Sequence, residues 1–107
     1  MKGYDLLVSS VAGYVHQVSV DHDSDVPPYQ QVAAILREAI LSGQIPARRP
    51  IPSVTTLQQT YGIARNTVRK AVALLADEGL VVLRPGWGTF VVPEDQRSRQ
   101  RKEPMSP

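Results

Sequence analysis

The segment IARNTVRKAVALL, Ile63–Leu75, begins with polar residues and ends in a nearly unbroken apolar run. At 100° per residue of an α-helix, the two groups occupy different sides. The apolar positions on one side are Val68, Ala71, Val72 and Leu75. The positions on nearly the opposite side are Arg65, Asn66, Arg69, Lys70 and Ala73. The pattern therefore predicts a helix that packs one face on a core and presents the other to a partner.

The polar face of this helix has the chemistry of a nucleic-acid contact. The first turn of a helix has unpaired backbone N–H groups and the positive end of the helix dipole, and both favour a phosphate. Arginine and asparagine carry the donors and acceptors that match the major-groove edges of guanine and adenine. A solvated helix face is the alternative. The residue types, their clustering and their position after a turn together favour DNA recognition.

A second, short helix is predicted immediately upstream. Ser53 follows Pro52 and can cap a helix over Val54–Tyr61 by accepting a hydrogen bond from a first-turn N–H. Gly62 breaks this helix, and only two residues separate the break from Arg65. Two helices joined by a tight turn that contains glycine are typical of a helix-turn-helix.

The first helix is predicted between Pro27-Pro28 and Gly43. Its apolar residues recur at steps of three and four, which places them on one stripe. These residues are Val32, Ile35, Leu36, Ala39 and Ile40. Gly43 can end the helix in the left-handed conformation. The segment IPARRPIP, residues 45–52, has three prolines and predicts an extended connector rather than a helix or strand.

The sequence after Gly79, which ends the third helix, predicts a β-hairpin. The β-rich runs LVVL (80–83) and FVV (90–92) flank RPGWGT (84–89), whose proline and glycines favour a turn. The predicted fold class is therefore α+β, a winged helix-turn-helix with three helices followed by a two-stranded β-hairpin wing.

The tip of the predicted wing has its own candidate DNA contacts. Glycine lets backbone approach a phosphate closely, and Arg84 and Thr89 add hydrogen-bond donors. Trp87 has two alternatives. It either lies against a sugar or enters the minor groove, or it folds back over the hairpin.

Length, composition and missing motifs exclude several functions. The 107 residues suffice for one small domain. The chain has no cysteine, and His16 and His22 lack a metal-binding spacing, so no disulfide, metal or cofactor is expected. No catalytic motif can be named, and Asp77-Glu78 are expected as solvent-facing charges, so the protein is not expected to be an enzyme. No apolar run has the roughly eighteen residues that a membrane span needs, so we expect a soluble, cytoplasmic protein.

Positive charge is concentrated in the middle of the chain. Residues 27–92 carry seven lysines and arginines against three acidic residues, as a surface that meets phosphates would, although a solvated basic face is the alternative. Residues 1–17 are expected to form an N-terminal extension that is at most partly ordered. The folded domain is predicted at 18–93, and residues 94–107, which are nearly devoid of apolar side chains, predict a disordered basic tail.

Four segments in this order resemble the winged helix-turn-helix domain of the GntR family of bacterial transcription regulators. They are PPYQQVAAILREAILSGQI (27–45), IPSVTTL (51–57), YGIARNTVRKAVALLADEGLV (61–81) and RPGWGTFVV (84–92). Their order makes the resemblance far more specific than a lone helix-turn-helix. It implies a homodimer on a palindromic operator in double-stranded DNA, with each third helix in the major groove and each wing along the minor groove.

The resemblance also implies site residues. By motif alignment, Arg65, Asn66, Thr67 and Arg69 occupy DNA-contacting positions, and Gly86 and Gly88 form the wing tip. Two positions depart from the family: Thr55 stands where an arginine usually contacts DNA, and Ala64 replaces a serine and cannot cap. The full set of expected DNA-binding residues is Ser53, Thr55, Arg65, Asn66, Thr67, Arg69, Lys70, Arg84, Gly86, Trp87, Gly88 and Thr89.

These features lead to one expected function and one alternative. Family members generally carry a C-terminal effector-binding or dimerisation domain, and fourteen residues follow Pro93 here, so no dedicated small-molecule effector domain is expected. Residues 4–20, rich in β-forming residues, are hypothesised to help dimerisation. We expect a sequence-specific DNA-binding regulator, a repressor that blocks polymerase from its operator. The alternative is a winged-helix module that binds protein without operator specificity.

Overall fold

The computed structural model describes residues 19–97. The N-terminal extension and residues 98–107 of the basic tail lie outside this range. The helices are α1 (Pro28–Leu41), α2 (Val54–Tyr61) and α3 (Arg65–Asp77). They are followed by strands β1 (Val81–Arg84) and β2 (Gly88–Val91) and a 3-10 helix, Glu94–Gln96. The predicted fold class, three helices followed by a two-stranded hairpin, is confirmed.

The three helices bury one shared core. Leu36 of α1, Leu57 of α2 and Leu75 of α3 have no accessible surface. The apolar stripe predicted for α1 is buried, and on α3 it includes the buried Val68 and Ala71. Full burial of a leucine is worth about 1.5–3 kcal/mol, so this cluster holds the orientation of α3.

An ion pair joins α1 to the end of α3. The Arg37 Nε donates to Glu78 Oε1 at 2.8 Å, and Nη2 donates to Oε2 at 2.6 Å. The hydrogen bonds that Arg37 donates to Glu78 raise the pKa of its guanidinium above the ordinary value, and partial burial offsets some of this rise. The two-point contact fixes the carboxyl end of α3 against α1.

The helix-turn-helix forms as its turn residues predict. The Ser53 Oγ accepts a hydrogen bond from the Thr56 N–H at 3.1 Å and caps α2. Gly62 ends α2 with φ +65°, and its N–H donates to the Gln58 carbonyl at 2.8 Å. This left-handed conformation turns the chain directly into α3, because glycine has no Cβ to oppose it.

The wing is an antiparallel hairpin in which Leu83 pairs with Thr89 and Arg84 with Gly88. The Trp87 N–H donates to the Arg84 carbonyl at 2.8 Å and closes the turn. Gly86, with φ +82°, follows Pro85, the residue order that a type II turn prefers. The predicted turn at 84–89 is confirmed.

The connector between α1 and α2 forms no helix or strand, as predicted, but it pairs with the wing, which the sequence did not predict. Its backbone runs along the free edge of β2: the Arg48 N–H donates to the Val91 carbonyl at 2.8 Å, and the Ile51 N–H to the Thr89 carbonyl at 2.9 Å. Pro50 lacks an N–H, so the pairing reaches only an isolated bridge with Phe90. Arg48 is held at φ +69°, a conformation that non-glycine residues rarely adopt.

The chain beyond the wing keeps a defined conformation for a few residues. Expected as the start of a disordered tail, Glu94–Gln96 form a turn of 3-10 helix in which the Gln96 N–H donates to the Pro93 carbonyl at 2.9 Å. The Arg97 Nε donates to the Val92 carbonyl at 3.1 Å. These two hydrogen bonds explain the added order.

Candidate nucleic-acid interface

The amino-terminal half of α3 presents its polar residues to solvent. Arg65, Asn66, Arg69 and Lys70 are exposed, and Thr67 is half-buried. The opposite side enters the core, so the two faces of this helix are divided as the sequence predicts.

This face carries charge without a protein counter-charge. Within residues 19–97, the ion pair between Arg37 and Glu78 is the one salt bridge, and it does not involve Arg65 or Arg69. Ala64 supplies no capping hydrogen bond, so no side chain occupies the first-turn N–H groups of α3. Two free guanidinium groups beside uncapped N–H groups create a local site for anions.

Lys70 is held differently from the two arginines. Its Nζ lies 4.5 Å from the centroid of the Tyr29 ring, at the start of α1. A cation–π contact at an exposed site is worth about 0.5–1 kcal/mol. The contact places the ammonium of Lys70 near the start of α1, beside the face that Arg65 and Arg69 occupy. Sequence reasoning missed Tyr29 because only tertiary packing brings the two helix starts together.

Ser53 and Thr55 lie at the start of α2. The Ser53 hydroxyl accepts from Thr56 N–H and donates to Thr56 Oγ1 at 2.9 Å, so it is engaged in capping. Thr55 is exposed, with its side chain available to a partner. Thr55 therefore offers one neutral hydroxyl at this position.

The two faces of the wing differ, because cross-strand partners share a face. Leu83 and Thr89 face α3, whereas Arg84, Val82 and Phe90 lie on the other face. Arg84 lines a shallow concavity there together with Arg48 and Gln96. The structure thus places Arg84 and Thr89, both expected DNA contacts, on opposite sides of the hairpin.

An open cleft of about 720 Å³ separates α3 from the wing, and we call it the wing cleft. Its apolar lining includes Val54, Val72, Ala76, Leu83 and Trp87. Its polar lining consists of Ser53, Arg69 and Thr89. The wing cleft therefore lies between the charged face of α3 and the hairpin, and most of its wall is apolar.

Trp87 projects from the tip of the wing. Its side chain is 82% exposed, so it does not fold back over the hairpin, and this alternative is wrong. Gly86 and Gly88 flank it with φ of +82° and +129°. Leu83, on the wing face that borders the cleft, is 63% exposed. Sequence reasoning missed Leu83, although its place in the two-residue alternation of β1 opposite Thr89 is a signal that could have found it.

Other kinds of site are not formed by the described residues. Between residues 19 and 97 no three metal-ligating side chains come together. In the same part of the chain, none of the helices has both the length and the hydropathy required to cross a bilayer. His16 lies outside the described residues.

Comparison with known proteins agrees with the geometry. The family model described as "Bacterial regulatory proteins, gntR family" matches residues 28–91, from the start of α1 to the end of β2. The chain belongs to the GntR family.

Curated relatives of this GntR-family chain include named repressors. The HTH-type transcriptional repressor NagR of Bacillus subtilis is 35% identical over 74 residues, which are 69% of this chain and 30% of NagR. The histidine utilization repressor of Klebsiella aerogenes is 40% identical over 65 residues, 61% of this chain and 27% of that protein. The chain spans about a third of the length of these relatives.

Solved structures similar to this GntR-family chain include DNA-bound domains. YtrA from Sulfolobus acidocaldarius, a GntR-family transcription factor, aligns with a TM-score of 0.65 and 31% identity over 75% of this chain and 84% of its own. The AraR DBD in complex with operator ORX1 aligns with a TM-score of 0.61 and 37% identity over 63% of this chain and 81% of its own. The fold is that of a winged-helix GntR DNA-binding domain.

Proposed function

We propose that this GntR-family domain binds DNA sequence-specifically and represses transcription by occupying a palindromic operator. The observation that carries the proposal is the exposed face of α3, where Arg65 and Arg69 have no counter-charge among residues 19–97. The similarity to NagR, a repressor, and to an AraR domain bound to an operator supports it.

In this proposal, α3 lies in the major groove and the hairpin in the adjacent minor groove. Arg65 and Asn66 read base edges, because their paired hydrogen-bonding groups match guanine and adenine. The remaining contacts fix the register on the backbone and groove walls. They are Ser53, Thr55, Thr67, Arg69, Lys70, Arg84, Gly86, Trp87, Gly88 and Thr89.

Two copies are needed to read a palindrome. We propose a homodimer at least on DNA, with half-sites about 34–36 Å apart, one helical turn of the duplex. Residues 4–18 of the segment proposed to help pairing lie outside the described residues, and Val20, near its end, packs against the core of the domain. The proposed site of action is the cytoplasm.

Selection of binding sites from a random duplex library tests this function. The expected result is an enriched inverted repeat whose affinity falls steeply with salt, because each neutralised phosphate makes the slope of log affinity against log salt more negative by about 0.9. A library from which no motif is enriched at low or moderate salt would contradict the proposal. It would favour the protein-binding module instead.

A further inference from the structure

The wing cleft has an apolar wall beside a surface that otherwise carries unpaired cations. Leu83 is 63% exposed and Trp87 82% exposed, and both border the cleft that Val72 and Ala76 line from the side of α3. Among its lining residues, Arg69 is the one charged side chain. An exposed apolar surface of this kind on a small domain marks a contact surface.

The proposed docking determines what crosses the wing cleft, and this step rests on the proposed function. In a duplex, one sugar–phosphate strand separates each major groove from the neighbouring minor groove. With α3 in one groove and the hairpin in the next, that strand passes between them. Arg69, within the cleft, gives the passage the positive charge that a polyanion requires.

The lining of the wing cleft suits the sugars of that strand better than its phosphates. Phosphate oxygens need hydrogen-bond donors or cations, and the side chains that can supply them inside the cleft are Arg69, Thr89 and the indole N–H of Trp87, because the Ser53 hydroxyl already donates to Thr56. The C2′ methylene of deoxyribose is apolar and matches the side chains of Leu83 and Trp87. We propose that the wing cleft binds the deoxyribose faces of the strand between the two grooves, and that Trp87 packs on a sugar.

This arrangement has a consequence for ribose. A 2′-hydroxyl placed against Leu83 and the ring face of Trp87 loses water and gains no hydrogen-bond partner there, which disfavours binding. The apolar wall therefore selects DNA over RNA in this strand, in addition to any discrimination by groove shape. It also adds affinity that salt does not screen, because no charge takes part.

The first test uses Trp87→Ala in the full chain on the duplex obtained by selection. We expect about a tenfold loss of affinity with an unchanged salt slope, whereas Arg84→Ala lowers the slope by about one. Trp87→Phe should recover most of the loss. Because Trp87 is 82% exposed, the thermal unfolding of the variant should match that of the parent.

Trp87 is the one tryptophan of the sequence, so its fluorescence emission reports directly on the contact and should change when the duplex saturates the protein.

The second test replaces deoxyribose with ribose at two or three nucleotides of the strand expected to cross the cleft. The parent protein should lose about tenfold in affinity, and Trp87→Ala should lose much less on the same duplex. The matched control carries the same number of ribonucleotides outside the bound site. Because both proteins meet the same modified duplex, any change in duplex shape cancels in the comparison.

The outcomes separate the inference from the function on which it rests. A parent protein that enriches no duplex contradicts the proposed function. A parent protein that binds its selected site, with Trp87→Ala equally tight and the Trp87 emission unchanged by DNA, overturns the deoxyribose contact while leaving the regulator intact. Equal sensitivity of both proteins to ribose in the crossing strand also overturns it.

Discussion

Helix α3 and the wing flank the same cleft and expose different kinds of side chain to solvent. On α3, charged side chains project from a helix whose other face is fully buried at Val68, Ala71 and Leu75. On the wing, two strands of four residues carry the exposed apolar Leu83 and Trp87. The difference indicates a division of tasks. A rigid helix positions directional hydrogen bonds to bases, whereas a short hairpin suits contacts that depend on shape and apolar area.

The largest expected effect is on stability, and it compares a buried leucine of α3 with an exposed leucine of the wing. Leu75→Ala removes a leucine with no accessible surface and should lower the free energy of unfolding by about 2–5 kcal/mol. The matched control, Leu83→Ala, changes a leucine that is 63% exposed and should lie within about 0.5 kcal/mol of the parent. Urea unfolding measures both. Similar losses in the two variants would mean that the wing is as deeply packed as the helix.

The next effect compares two arginines. Arg65→Ala should weaken binding to the selected site by about 1–3 kcal/mol and relax base preference at one position, because it removes the proposed base-edge contact. Arg84→Ala should weaken selected and random duplexes alike, because it removes a phosphate contact. Titration of both duplexes at several salt concentrations measures the difference. If each variant loses the same factor on both duplexes, the proposed division between helix and wing is wrong.

Two smaller effects on stability test residues with positive φ, one immediately before α3 and one beside the wing. Gly62 has φ +65° and open space where a Cβ would stand, so Gly62→Ala should cost about 1 kcal/mol through backbone conformation alone. Arg48, beside β2, has φ +69°, so Arg48→Gly should relieve strain and raise stability by about 0.5 kcal/mol. In thermal unfolding, the melting temperature should fall for Gly62→Ala and rise for Arg48→Gly. A loss in Arg48→Gly would mean that its side chain stabilises the fold more than its backbone strains it.

The smallest expected effect on stability concerns the ion pair between Arg37 and Glu78, which joins α1 to the end of α3. The described residues of the wing form no ion pair of this kind. Arg37→Gln should lower stability by about 0.5 kcal/mol, because both side chains are about a third exposed. The raised pKa of Arg37 means that its contribution is complete below the ordinary arginine pKa and is lost only as pH rises through the higher value. The difference between Arg37→Gln and parent should therefore stay constant from about pH 6 to about pH 9 in unfolding experiments. A difference that grows or vanishes within this range would assign the effect to another group.

The sequence predicted the helices well because their signals are local. Ser53 and Gly62 mark the two ends of α2, and the observed helix, Val54–Tyr61, has the predicted bounds. The division of α3 into two faces follows from its 3.6-residue period. These features depend on residues within one or two turns of each other.

The features that the sequence did not predict depend on tertiary contacts. The prolines of the connector argued against a strand, yet the N–H groups of Arg48 and Ile51 meet carbonyls of β2 that lie about forty residues away in the chain. The sequence left open whether Trp87 folds back over the hairpin or projects from it. These alternatives differ only in the direction of the side chain, which the sequence pattern does not determine. The contact of Lys70 with Tyr29 likewise requires α1 and α3 to be packed together.

The central claim is that Arg65, on the exposed face of α3, reads a base edge in the major groove. The most direct measurement is a double-mutant cycle on the selected duplex, with Arg65→Ala in the protein and 7-deazaguanine, which lacks the N7 acceptor of the major groove, in the DNA. We expect one guanine at which the substitution weakens binding by the parent protein but hardly affects binding by Arg65→Ala. Additive losses at every guanine, or no loss for the parent protein at any of them, would contradict it.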